Sequence, residues 1–111
     1  MMAANNYAIS LGRLRRYEEA KTLLREVIPV ARRVLGDSDD ITLRMGWMYA
    51  AALALDDGAT LDDLREAVAS LEDTARTARR VLGSTHPVTT AIGESLYESR
   101  ATLAVAERVK H

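Results

Sequence analysis

A chain that copies itself internally is constrained to fold as a repeat, because no unit can bury its apolar face except against its neighbour. The string Ala31-Arg32-Arg33-Val34-Leu35-Gly36 returns as Ala78-Arg79-Arg80-Val81-Leu82-Gly83, an offset of 47. At the same offset, Asp37-Ser38-Asp39-Asp40-Ile41-Thr42 aligns with Ser84-Thr85-His86-Pro87-Val88-Thr89, and Tyr17-Glu18-Glu19-Ala20 with Leu64-Arg65-Glu66-Ala67. Further upstream the offset falls to 42, where Tyr7-Ala8 meets Tyr49-Ala50 and Leu11 meets Leu53. The change places a five-residue insertion in 56–63, around the turn signal Asp56-Asp57-Gly58.

Each unit reads as two helices. The first runs over about 2–13. The second covers about 17–35, with Leu23, Leu24, Val27, Ile28, Ala31, Val34 and Leu35 as a stripe at helical spacing. Gly36 ends it, with Arg32 and Arg33 at the negative end of the dipole. Asp39 or Asp40 caps a third helix over about 40–55, and Thr60 caps a fourth over about 61–82, with Asp62 and Asp63 in its first turn. The fourth buries Leu64, Ala67, Val68, Leu71, Ala75, Ala78, Val81 and Leu82, and Gly83 closes it. Pro87 suits the start of a fifth helix, about 87–108, with the stripe Val88, Ile92, Leu96, Leu103 and Ala106. Pro29 lies inside the second helix and predicts a kink there rather than a break. The expectation is all-α, about three quarters helical against the ~30–35% of ordinary domains.

Composition excludes several function classes. The 111 residues contain no cysteine, so neither a disulfide framework nor a cysteine-ligated zinc site is open to the chain. The longest apolar run, Met48–Leu55, is far short of the ~20 residues of a membrane span. Residues 1–17 carry Arg13, Arg15 and Arg16 and no acid, as targeting peptides do, but the same stretch is the first helix of the repeat. These features predict a cytoplasmic protein without membrane contact. A sequence pI near 6.1 and an acidic middle argue against nucleic acid. Of the two histidines, His86 reads as a helix-capping residue and His111 is terminal, so no catalytic constellation forms. The cluster Asp37-Ser38-Asp39-Asp40 lacks the glycine and distal glutamate of a calcium loop and reads as capping. No enzyme, cofactor or metal is expected.

Laid out in this way, the units resemble tetratricopeptide repeats, particularly the 42-residue kind of kinesin light chains. The residues that carry the likeness are Asn5-Asn6-x-Ala8, Leu11, Arg16-Tyr17-Glu18-Glu19-Ala20, Leu24 and Arg33-Val34-Leu35-Gly36. In the second unit they are Tyr49-Ala50, Leu53, Glu66-Ala67 and Arg80-Val81-Leu82-Gly83, followed by His86-Pro87. The second unit departs by having Trp47-Met48 in place of the paired asparagines. The resemblance implies an αα-superhelix of five antiparallel helices in a right-handed stack. Residues 1–111 would form one domain: unit one about 2–36, unit two about 40–83, and a capping helix about 87–108. Ala8, Ala20, Ala50 and Ala67 are small where paired helices approach; a bulky residue there would cost ~1–3 kcal/mol. The fifth helix, polar through Glu94, Glu98, Arg100 and Glu107, suits the cap.

By the same resemblance the first helix of each pair lines a concave surface, giving a non-catalytic adaptor that holds a peptide or protein segment. Exposed positions would be Asn5, Asn6, Ile9 and Arg13 from unit one, Arg44, Trp47, Met48 and Ala51 from unit two, and Glu94, Ser95 and Glu98 from the last helix. An asparagine at the place of Asn6 holds a peptide backbone in the family, since an amide both donates and accepts. Trp47 and Met48 either add apolar contact there or simply pack between units. Residues 1–35 hold seven basic and three acidic side chains, 36–75 two and ten, and 76–111 six and three. That alternation serves stacking of units or steering of a partner. The other reading is a structural homo-oligomer, or part of a longer array, that self-associates through an uncovered N-terminal face at Met2, Tyr7 and Leu14, most simply a homodimer.

Overall fold

The computed structural model describes residues 2–110, so that Met1 and His111 lie outside the description. The described residues form five helices and no strand, 84% helical: α1 (Met2–Arg13), α2 (Tyr17–Val34), α3 (Asp40–Leu55), α4 (Leu61–Leu82) and α5 (Pro87–Lys110). These match the helices read from the repeat to within two residues at every end, the usual fraying of helix termini.

The helix ends follow from local chemistry. Asp39 caps α3 by accepting from the Ile41 N–H at 2.8 Å. Thr60 and Asp63 form a reciprocal capping box at the start of α4, with bonds of 3.1 and 2.9 Å. His86 acts as a cap for α5, its Nδ1 accepting from the Val88 N–H at 3.1 Å, with Pro87 at the first helical position. Gly36 and Gly83 both take φ +94°, the left-handed region where glycine is favoured, and close α2 and α4. The end of α1 has no glycine. There Arg15 takes φ 58°, and the Arg16 N–H reaches back to the Leu11 carbonyl at 2.8 Å. α2 runs unbroken through Pro29.

Each helix packs against the next, and α3 also touches both α1 and α5. The first helices of successive units therefore stand side by side, while α2 and α4 form the outer layer. One core cluster joins α1, α2 and α3 through Ala8, Leu24, Ile28, Ala31 and Met45. Another joins α3, α4 and α5 through Leu53, Ala67, Leu71, Ala78, Ile92 and others. A third, small cluster of Leu11, Ala20 and Ala52 closes the base of the first hairpin, with Tyr17 packed on it. Ala8, Ala20, Ala50 and Ala67 are all buried, as close helix approach requires.

Two stripe residues are not in the core. Val34 is 66% exposed and Val81 is also exposed. Both stand in the last turn of an outer helix on its solvent side, whereas Leu35 and Leu82, one residue on, pack against the core. The fifth helix is also less polar than expected: Tyr97 is 78% exposed, and Val105 and Val109 are exposed with it. By the repeat offset, Tyr97 stands where Ala8 and Ala50 stand in α1 and α3, the point of closest approach to a partner helix. In α5 no helix occupies that side among the described residues.

Candidate functional site

The inner surface of α1, α3 and α5 carries two contiguous hollows. The first lies between α1 and α3 and has a volume of about 290 Å³. Buried Ala8, Ala52 and, from α2, Ala20 and Leu24 lie beneath it, with Ile9, Gly12, Tyr17, Met48, Ala51 and Leu55 around it and Arg13 at the rim. A Cβ added at Gly12 would meet nothing within 4 Å, so the glycine holds space open rather than relieving a contact. The second hollow, about 140 Å³, lies between α3 and α5 and shares Ala51 and Leu55 with the first; Ser95, Glu98 and Thr102 line its far side. Leu55, 61% exposed, is the ridge between them.

The expected site residues separate into three groups. Ile9, Arg13, Met48 and Ala51 come together on the first hollow, and Ser95 and Glu98 on the second. Asn6 and Arg44 are exposed, each a turn N-terminal to a residue lining the first hollow, and Arg44 is held by Asp40 at 2.9 Å. Glu94 is exposed next to Ser95. Asn5 corrects the expectation of exposure: it is only 6% exposed, and its Oδ1 has no hydrogen-bond partner. The physical reason is helical phase, since position 5 falls on the packed side of α1, a turn before buried Ala8, and position 6 on the solvent side. Trp47 is half-buried against the α3–α4–α5 core, its indole N–H donating to Ser95 Oγ at 2.9 Å. It thus pins α3 to α5, and it lines neither hollow. Met48 both packs on the first core cluster and lines the groove.

Two polar features could not be read from the residues alone. Lys21 is buried at the base of the first hairpin, its ammonium 2.6 Å from Glu18 and 3.2 Å from Asp56. Burial pulls its pKa down, but the bonds to Glu18 and Asp56 together outweigh that and leave it raised. The Asp56 carboxyl is held below its usual range by the Gly58 N–H and by Lys21. The insertion loop is thereby tied to the first unit at the C-terminal edge of the groove. On the outer surface, Arg25 Nε donates to Tyr49 Oη at 3.1 Å, and that hydroxyl donates to Glu66 at 2.5 Å, linking α2, α3 and α4. The only sequence signal for either feature was the shifted offset at 56–63 and the repeated tyrosine at 7 and 49.

Among the described residues there is no group of three histidine, aspartate or glutamate side chains placed to hold a metal, and no helix is long and apolar enough to cross a membrane. The inner surface offers apolar area, hydroxyls and separated charges.

A family model described as tetratricopeptide repeat matches residues 1–40 and 53–88. The unmatched stretch between them contains Trp47-Met48, where the paired asparagines of unit one are replaced. No curated protein and no solved structure matches the chain. The matched segments take in the whole first hairpin and the whole of the second outer helix with its flanking turns, and they agree with the helix order and the buried small residues. The chain belongs to the tetratricopeptide repeat family, whose helical hairpins are in general non-catalytic modules for binding other proteins.

Proposed function

We propose that this chain is an adaptor that holds a peptide or protein segment on the inner surface of α1, α3 and α5, with no chemistry of its own. The carrying observation is the apolar hollow at Ile9, Gly12, Met48 and Ala51, with Arg13 on its rim. Its volume is near the lower end of ~300–1,000 Å³ ligand pockets, enough for one or two side chains of a longer segment. Asn6, Arg13, Arg44, Trp47 and Met48 are the binding residues of this reading, with Asn5 acting from behind them as a buried amide.

The test is selection from a random peptide library on the full chain, followed by comparison with the Gly12→Leu variant, which fills the hollow. Peptides that bind the parent and lose at least tenfold on Gly12→Leu support the reading. Peptides indifferent to the substitution, or no enrichment at all, contradict it.

Self-association is the second reading, favoured by the exposed Met2 and Tyr7 on α1 and Leu14 just after it. Tyr7 and Leu14 lie a helical turn or two apart on the side of α1 away from the groove. An association through Tyr7 and Leu14 leaves the groove face of α1 open, whereas Met2 stands on the same face as Ile9 and Arg13.

A further inference from the structure

Resting on the reading of the inner surface as a peptide site, we propose that it selects an extended segment whose charge changes sign along its length. An acidic residue lies over Arg13, an aliphatic side chain enters the hollow at Gly12, and a basic residue lies over Glu98.

The charges on this surface are separated, not mixed. Arg13 lines the first hollow and Glu98 the second, and neither makes a salt bridge among the described residues. Arg44, on the same face of α3 as Met48, is already occupied by Asp40. Glu94 stands exposed one helical turn before Glu98 and adds to the negative side. Between the two poles Leu55 and Ala51 are common to both hollows, and Arg15, Asp56 and Asp57 border the Leu55 ridge only at the edge of the groove. A ligand crossing from α1 to α5 therefore passes from a positive rim over an aliphatic ridge to a negative one.

Length and form follow from helix spacing. α3 touches both α1 and α5, and packed helices lie about 8–10 Å apart, so the poles are roughly 16–20 Å apart. An extended chain at ~3.3 Å per residue covers that in about five or six residues. A helical ligand is about 10–12 Å wide, too broad to sink into a hollow of about 290 Å³. The acidic and basic residues of the ligand are thus five or six positions apart, with an aliphatic residue nearer the acidic end. An open floor at Gly12 lets that side chain, or the backbone beside it, approach α1 closely.

Fluorescence anisotropy with four labelled octapeptides tests this on the full chain. They share a leucine at the third and fourth positions and differ in their ends: acidic then basic, both acidic, both basic, or both uncharged. The expected result at 50 mM salt is that the first binds about five- to tenfold tighter than the others, a gap that closes at 0.5 M salt. Arg13→Glu should turn the preference to the peptide with two basic ends, and Glu98→Arg to the one with two acidic ends. Equal binding of the uncharged peptide, or the same ranking in both variants, overturns the charge rule. If Gly12→Leu still abolishes binding in that case, the peptide groove stands without it. If no peptide binds, or if Gly12→Leu changes nothing, the groove falls together with the rule.

Discussion

A methyl group added at Gly46 would come within 2.9 Å of the Thr74 hydroxyl, whereas one added at Gly12 would meet nothing within 4 Å. Both glycines are helical. Gly46 is in mid-helix, where glycine costs about 0.5–1 kcal/mol relative to alanine. Gly12 is in the last turn of α1, where the cost is at the lower end of that range. At Gly46 the cost permits α3 and α4 to approach, and Thr74 is itself held by a 2.8 Å bond to the Ser70 carbonyl. At Gly12 it leaves a hollow. Gly12→Ala should therefore stabilise the fold by about 0.5 kcal/mol. Gly46→Ala should destabilise it by about 1 kcal/mol net, since overpacking of ~1–3 kcal/mol exceeds the helix-propensity gain. Urea denaturation of the two variants beside the parent measures both, and equal shifts would remove the distinction. Neither role was legible in the sequence, where the two glycines look alike. Asn5 and Asn6 differ in the same manner: one residue of helical phase decides which amide is buried, and only the rotation of α1 against α3 sets that phase.

At the scale of elements, the repeat made the helices legible because five boundaries carry their own signal: Asp39, Thr60 and Pro87 at starts, Gly36 and Gly83 at ends. Thr60→Ala removes the acceptor for the Asp63 N–H and half of the capping box, and should cost about 1 kcal/mol in thermal or urea unfolding. No change in stability would mean that the box contributes nothing. The turn before α2 was harder to read, since no glycine marks it and Arg15 takes the left-handed conformation instead. The tie between α2 and the insertion loop was not legible at all, because Lys21 and Asp56 are 35 positions apart. It predicts a particular pH profile. The raised pKa of Lys21 gives stability that is complete below its unfolded value of about 10.4 and is lost as pH rises through the folded value. The lowered pKa of Asp56 gives stability present above about 3.9 and lost as pH falls through the folded value. A plateau between these limits is expected, and Lys21→Met should flatten its alkaline edge. An unchanged alkaline edge in that variant would count against the pair.

The whole molecule is a slab of 43 × 30 × 21 Å with one inner surface, one outer surface and two ends, and each carries a different chemistry. The outer surface is tied across its units by Arg25, Tyr49 and Glu66. At the end formed by the first hairpin, Tyr7, Leu14 and Val34 are exposed. The second reading therefore makes its own forecast: sedimentation at tens of micromolar should show a dimer, and Tyr7→Glu should dissociate it while leaving the circular dichroism helical. A monomeric parent would end that reading without touching the groove. The inner surface is where the central claim rests. The most direct measurement is the backbone amide spectrum of ¹⁵N-labelled protein during titration with a selected peptide. The largest shifts should fall on Ile9, Gly12, Arg13, Met48, Ala51 and Leu55, with Ser95 and Glu98 following. Shifts confined to Arg25, Arg32 and Asp73 on the outer surface, or to Tyr7 and Leu14 at the end, would contradict it.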